Sequence, residues 1–420
     1  MTEINNIPKH WQVKKLGEVC TTTSGGTPSR GNKRYYDGNI PWVKSGELNK
    51  GLIKDTEEKI SEEAIKNSSA KIFPKGTLLI ALYGATIGKL AFLGVDAATN
   101  QAVCGIYKNE KIDSNYLYYY LFSKKPSLVK QGIGGAQPNI SQGILKNLEL
   151  PIPPLPEQQL IVSKIEELFS DLENGKQQLL LAQQQLKVYR QSLLKWAFEG
   201  KLTNKNVKDG ELPKGWKWMT VDDVTSKITD GEHLTPKRIS KGEMLLSAKN
   251  IRDGYIDYSN YDCISKEDFD KCLLRCNPEI GDLLIVSVGA TIGRASLVKE
   301  NTKFALVRSV ALLKPETVKS NFLLYYVQSP QTQKRIQELS QGSAQNCLYI
   351  NKIRQIEIPL PPLKEQQLIV DELESKLTVC DKIVETISQS LLQAETLKQS
   401  ILKKAFSGEL VKNHINPLIQ

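Results

Sequence analysis

The sequence predicts an α+β chain built from two copies of one unit, each a mixed α/β head followed by a long helix. Three observations predict it. First, Pro151–Val162 and Pro359–Val370 share ten of twelve residues at an offset of 208; Gly76–Lys89 returns as Gly281–Arg294, and Gln191–Leu202 as Gln399–Leu410. A period of half the chain marks a tandem duplication and not a solenoid. Second, after each Pro-x-Pro-Pro-Leu segment the chain runs for about 40 residues without proline and with apolar residues spaced at seven. Third, the stretch before each such run mixes short apolar runs with glycine and proline turn signals.

Each head opens alike, Ile7-Pro-Lys-His-Trp11 matching Leu212-Pro-Lys-Gly-Trp216. Trp11 and Trp216 read as core anchors. Gly25-Gly-Thr-Pro28 and Asp230-Gly231 are turns. Thr77–Tyr83 and Asp282–Val288 read as buried strands ended by Gly84 and Gly289. Asn115–Phe122 and Asn321–Gln328 read as short helices, with Ser114 and Ser320 able to cap them. Residues 26–75 and 230–280 barely align, so one scaffold presents two different surfaces.

The helical runs start sharply, because Pro-x-Pro-Pro-Leu is not helical and Pro156 suits a first turn. In the first run one row is Ile165, Leu172, Leu179, Leu186 and Leu193, and a second is Ile161, Leu168, Ala182, Tyr189 and Trp196, interrupted at Gly175. In the second run the rows are Leu373, Cys380, Ile387, Ala394 and Ile401, with Leu377, Val384, Leu391 and Ala405. Each run ends at a glycine, Gly200 or Gly408. About 40 residues make a rod of roughly 60 Å, and each rod's apolar stripe has the other as its partner. A short link between copies fits antiparallel rods, with pseudo-twofold-related heads at opposite ends.

Composition narrows the function. The 420 residues carry 56 Lys and Arg against 46 Asp and Glu, a net charge of +10. That excess suggests a polyanionic partner, nucleic acid first. No apolar stretch nears the ~18–20 residues of a membrane helix, and Met1–Asn6 shows no secretory signal. Seven scattered cysteines suit reduced thiols in a cytoplasm.

Catalytic constellations fail in turn. Gly84-Ala-Thr-Ile-Gly88-Lys89 has three residues between its glycines, where a phosphate loop needs four, and Leu90 follows where it needs Ser or Thr. It reads as a strand-ending turn. The three histidines, His10, His233 and His414, form no triad or metal trio. Cys272 and Cys276, with Cys263 upstream, read as packing. No dinucleotide fingerprint appears, so the chain is not expected to be an enzyme.

The order Trp42-Val-Lys-Ser-Gly-Glu47, Tyr83-Gly-Ala-Thr-Ile-Gly88, Gly135-Ala-Gln-Pro-Asn-Ile140, Pro-x-Pro-Pro-Leu-x-Glu-Gln and Ala-Phe-x-Gly-x-Leu, largely repeated in the second copy, resembles the specificity (S) subunits of type I restriction-modification systems. The resemblance covers essentially the whole chain. It implies a non-catalytic DNA-recognition subunit whose two target recognition domains each read one half of a bipartite target in double-stranded DNA. The antiparallel coiled coil between them would set the unread spacer. Partners would be two modification (methyltransferase) subunits and restriction (translocase/nuclease) subunits. S-adenosylmethionine, ATP and Mg would belong to those partners, with no cofactor or metal in this chain, no membrane and a cytoplasmic location. The domains would be 1–156 and 212–364 for recognition, 157–200 and 365–408 for the central and distal helices, 201–211 as linker and 409–420 as tail. Two other readings stand beside it: a specificity chain of another two-subunit restriction or methylation system, and a coiled-coil adaptor with no DNA role.

Base reading needs Arg or Lys for guanine and Asn or Gln for adenine; phosphates need Lys, Arg, Ser, Thr and amides. The candidates in the first head are Thr27, Ser29, Arg30, Asn32, Lys33, Arg34 and Tyr36, then Lys44, Ser45 and Glu47, Tyr83 and Thr86, Asn100 and Gln101, and Gln137 and Asn139. In the second they are Asp230, His233, Thr235, Lys237, Arg238, Lys249, Asn250, Arg252, Thr291, Arg308, Gln345 and Asn346. The acidic Glu47 and Asp230 would accept from cytosine or orient a basic neighbour.

Overall fold

The structure is a computed structural model describing residues 7–132, 139–204, 206–208, 210–234, 236–341 and 346–412. It divides into two units, Met1–Gln178 with Gln389–Gln420, and Leu179–Ser388. The head of the first unit carries β1 (Thr22–Ser24), β2 (Ile40–Val43), β3 (Glu58–Ile60), β4 (Leu78–Ala81), β5 (Leu90–Leu93), β6 (Ala97–Thr99) and β7 (Val103–Ile106). One sheet runs β1-β7-β4-β5 and is extended by Leu52–Ile53; the other runs β3-β2-β6 and is extended by Ile72–Phe73. All four residues of β4 are buried, as a continuous apolar run demands. Helix α1 (Ser114–Gln131) follows, then α2 (Leu155–Phe198).

The head of the second unit repeats this frame with β8 (Thr225–Asp230), β9 (Glu243–Leu246), β10 (Asp262–Ile264), β11 (Leu283–Val286), β12 (Ala295–Leu297), β13 (Ala305–Leu306) and β14 (Val310–Pro315). Its sheets run β8-β14-β11-β12 and β10-β9-β13. The register repeats too. Val103 faces Ala81 as Val310 faces Val286, and Trp42 faces Glu58 and Ala98 as Leu245 faces Asp262 and Ala305. The frame therefore persists through the stretch where the two sequences do not align. Helix α3 (Lys266–Arg275) replaces the five-residue helix Glu62–Lys66 of the first head, α4 (Ser320–Gln328) follows, and α5 (Leu363–Phe406) runs from this unit into the first.

Two sequence expectations need correction. Helix α1 spans 18 residues instead of the short helix expected over Asn115–Phe122, and Asp113 caps it instead of Ser114, its carboxylate accepting from the backbone N–H of Asn115 and Tyr116. In α4 the capping position is Lys319, with no side-chain cap. Trp11 and Trp216 are both buried core anchors, as expected.

Helices α2 and α5 each run 44 residues and pack antiparallel. In the first unit, Ile161, Val162 and Ile165 of α2 share a core with Ile401, Leu402 and Ala405 of α5 and with Tyr116 and Tyr120 of α1. Lys398 meets Glu173 at 3.8 Å and Lys176 meets Glu395 at 3.6 Å, so partner numbers fall as the others rise. In the second unit, Leu193, Ala197 and Phe198 pack with Ile369, Leu373 and Cys380 and with Phe322 and Tyr326 of α4, and Arg190 pairs with Asp381. The row containing Tyr189 and Trp196 fails: both are exposed, at 41 % and 42 %, while Leu193 and Ala197 are buried. A straight helix drifts about 20° per heptad, and this second row rotates out of the seam while the row from Ile165 to Leu193 stays on it. Gly200 and Gly408 take φ of +75° and +80°, the left-handed conformation that stops a helix.

Candidate nucleic-acid interface

In the first head the candidate residues come together at one end of the larger sheet, where β1 and β4 finish and β7 begins. Backbone bonds tie the loops: Gly26 N–H to Thr99 O (2.9 Å), Asn100 N–H to Val43 O (2.9 Å), Leu82 N–H to Ala102 O (2.8 Å) and Ile140 N–H to Leu82 O (2.9 Å). Thr27, Ser29, Arg30, Asn32, Lys33, Arg34 and Tyr36 occupy the β1–β2 loop; Lys44, Ser45 and Glu47 follow β2; Tyr83 and Thr86 follow β4; Asn100 and Gln101 join β6 to β7. Asn139 bridges Tyr83 through the backbone. Gln137 lies outside the described residues.

Contacts sort these side chains. The Thr27 hydroxyl donates to Gln101, and the Tyr36 hydroxyl donates to Pro28 O at 2.7 Å. The Arg30 guanidinium lies 4.3 Å from the Tyr36 ring centre. Ser29, Lys33 and Arg34 are exposed, and Asn32 caps the turn they stand on by accepting from Arg34 N–H. Among the described residues the buried Asn100 side-chain oxygen has no partner. The Thr86 hydroxyl turns back to Tyr83 O at 2.7 Å. Glu47 is 4 % exposed and accepts from the N–H of Lys44 (2.9 Å) and Glu57 (3.1 Å), so its carboxylate folds the turn instead of facing a base. Asn250 does the same in the second head, 1 % exposed, accepting from Ser247 N–H and donating to Asp257 O and Asn260 O.

The second head gathers Asp230, His233, Arg308 and Asn346 at the matching end. Glu232 N–H bonds Leu306 O (2.8 Å), Arg308 N–H bonds Glu232 O (3.1 Å), and Gly289 N–H bonds Asn346 O (3.5 Å). A cleft of about 640 Å³ is lined there by Asp230, His233, Arg275, Arg308 and Tyr349 among others. Asp230 accepts from Arg275 at 2.6 Å and meets His233 Nε2 at 2.8 Å, and the Arg275 bond raises that guanidinium's pKa. Asp230 thus orients basic neighbours. Ser24 stands at the equivalent place in the first head, facing Cys104 as Asp230 faces Ala311, and accepts from Gln142 at 2.8 Å. Lys237 is exposed, Arg252 reaches Asp257 at 3.7 Å, and Thr291 sits in the turn after β11. Thr235 and Gln345 lie outside the described residues.

One arrangement is built twice. Glu58 on β3 takes Arg30 at 2.6 Å and Lys44 at 3.0 Å; Asp262 on β10 takes Arg238 at 2.7 Å and Lys249 at 2.9 Å. In each head one carboxylate holds a cation from the loop before the middle strand and another from the turn after it. The paired cations keep both carboxyls below their ordinary values, the arginine contact being the largest cause in each. Sequence reasoning found all four cations but neither carboxylate, because Glu58 and Asp262 become equivalent only through strand register. It also missed Arg275, which the longer α3 delivers. Among the described residues no group of three or more His, Cys, Asp or Glu could hold a metal, and no helix is long and apolar enough to cross a membrane.

Comparison with known proteins places this frame. A family model for the type I restriction modification DNA specificity domain matches residues 8–182 and 213–393. The chain is 29 % identical over 331 residues to the EcoBI specificity subunit of Escherichia coli, covering 75 % of this chain and 69 % of that one. It is 27 % identical over 427 residues to the MjaIX specificity subunit of Methanocaldococcus jannaschii, covering 97 % and 95 %. A solved chain from a study of complex assembly and conformational transition of the type I R-M system has a TM-score of 0.72 at 23 % identity, covering 96 % of this chain and 99 % of that chain. The HsdS subunit of Thermoanaerobacter tengcongensis has a TM-score of 0.64 at 21 % identity, covering 97 % and 100 %.

Proposed function

This chain belongs to the type I restriction modification DNA specificity family, and from that premise we propose that its two heads each read one half of a bipartite duplex target. The observation that carries the reading is the twice-built frame. The same strand order, register and carboxylate-held cation pair occur in both heads, while the surrounding loops differ. A repeated frame suits a duplex whose backbone is itself near-twofold, and different loops suit different half-sites. The paired long helices would fix the unread spacer and offer docking surface to modification and restriction subunits.

In this reading the chain chooses the site and performs no bond chemistry. S-adenosylmethionine, ATP and Mg act in the partner subunits. The exposed Lys33, Arg34, Lys237 and Arg308 would approach the DNA, with Asn32, Gln101, Asn139, His233 and Asn346 within the same loop ends. The assembled complex operates in the cytoplasm, where the genome to be modified lies.

Filter binding of the full chain with its modification subunits tests the reading. Retention of a subset of duplexes sharing a two-part sequence is expected. Retention without sequence preference would favour a coiled-coil adaptor.

A further inference from the structure

We propose that the two carboxylate-held cation pairs grip the phosphate backbone in both half-sites, and that Glu58 and Asp262 are positioning residues for that grip. The inference rests on the DNA-reading function above and divides its contacts. Two heads that read different bases share one thing in their targets, the sugar–phosphate backbone. A device kept in both heads, across segments whose sequences do not align, therefore serves the shared part. Devices present in one head only serve the bases: the Asn32–Arg34 turn in the first, and Asp230 with Arg275 and His233 in the second.

The geometry suits this division. Arg30 and Lys44 converge on one carboxylate from the segments before and after β2, and Arg238 and Lys249 do so from those before and after β9. All four cations keep solvent access, with side-chain exposures of 57 %, 31 %, 49 % and 42 %. A carboxylate that occupies one edge of a guanidinium leaves other N–H groups to donate to a phosphate oxygen. It also fixes two long side chains that would otherwise lose rotamer freedom on binding.

Head 1 carries a contrast within itself. Lys44 also meets Glu57 at 2.9 Å, and Glu57 is 66 % exposed against 30 % for Glu58. Glu57, the more exposed and bound to Lys44 alone, would compete with an arriving phosphate, whereas the less exposed Glu58 holds both cations. The position matching Glu57 in head 2 is Tyr261, which brings no such competitor.

The test uses the full chain assembled with its modification subunits, on target and unrelated duplexes across a salt series. Arg30→Ala and Arg238→Ala are each expected to weaken both duplexes by about tenfold at low salt and to lower the salt slope by about one, leaving the methylated sequence unchanged. Glu58→Gln and Asp262→Asn add the same charge as Glu57→Gln. The first two are expected to weaken binding several-fold and the third to tighten it. Tightening by all three would show the carboxylates acting as charge alone and overturn the positioning role. A change in which bases are methylated after Arg30→Ala or Arg238→Ala would overturn the phosphate assignment while leaving the DNA-reading function standing. Loss of sequence selectivity in the unmodified assembly would instead defeat that function.

Discussion

Gln158 and Gln366 are among the most buried polar side chains, at 0 % and 1 % exposed, and they do the same thing in both units. Gln158 accepts from Asp113 N–H and donates to Pro153 O and Lys111 O; Gln366 accepts from Lys319 N–H and donates to Pro361 O. Each pins the start of a long helix to the start of a head helix. Beside Gln158, Glu157 accepts from His10 and from the Trp11 indole, both at 2.9 Å. The repeated Glu-Gln pair was visible in the sequence as a motif, and these bonds explain the repetition of its glutamine, while Glu365 accepts from Thr203 instead. Gln158→Ala strands a buried N–H and two carbonyls, so it should cost about 2–3 kcal/mol and lower the first unit's unfolding temperature by about 5–10 °C in calorimetry. An unchanged transition would show that the pin carries no stability. The Glu58 and Asp262 carboxylates were not legible, since a lone acidic residue in a divergent stretch has no local signature. Their lowered pKa gives a sign: the ion pairs stabilise the fold above the ordinary carboxylate pKa and are lost as pH falls through the lower folded value. The DNA affinity that these pairs support should therefore be flat between about pH 6 and 8 in a binding titration.

Among elements, the buried strands and both long helices followed from apolar runs and period seven, because burial writes itself into sequence at those periods. The length of α1 did not, since Pro126 and a polar second half mask it. The seam of α2 was legible along the row from Ile165 to Leu193 and at Ile161, but not where drift rotated the second row away, at Tyr189 and Trp196. Gly175 sits inside α2, and a methyl group added there would meet nothing within 4 Å. Gly175→Ala should stabilise the first unit by about 0.5–1 kcal/mol. Gly408→Ala should do the opposite, because φ is +80° and the added carbon would lie 2.3 Å from Pro8. Thermal unfolding of the two variants checks both signs.

At the scale of the whole chain, the duplication was the most legible feature, and it organised fold and function together. The two differing loop sets were legible as candidates but not as base readers or phosphate contacts, because head sequence and target bases share no simple code. The proposed spacer role makes a length prediction. Four residues added to each long helix, after Gln178 and after Ser388, extend each by about 6 Å and should lengthen the unread spacer by up to about two base pairs. The most direct measurement maps the methylated sites made by the assembled complex, first with the native chain and then with Asn32, Lys33 and Arg34 changed to alanine. Two constant half-sites around a fixed unread spacer are expected, with the triple change relaxing bases in one half alone. A single continuous motif, or relaxation spread over both halves, would contradict one half-site per head.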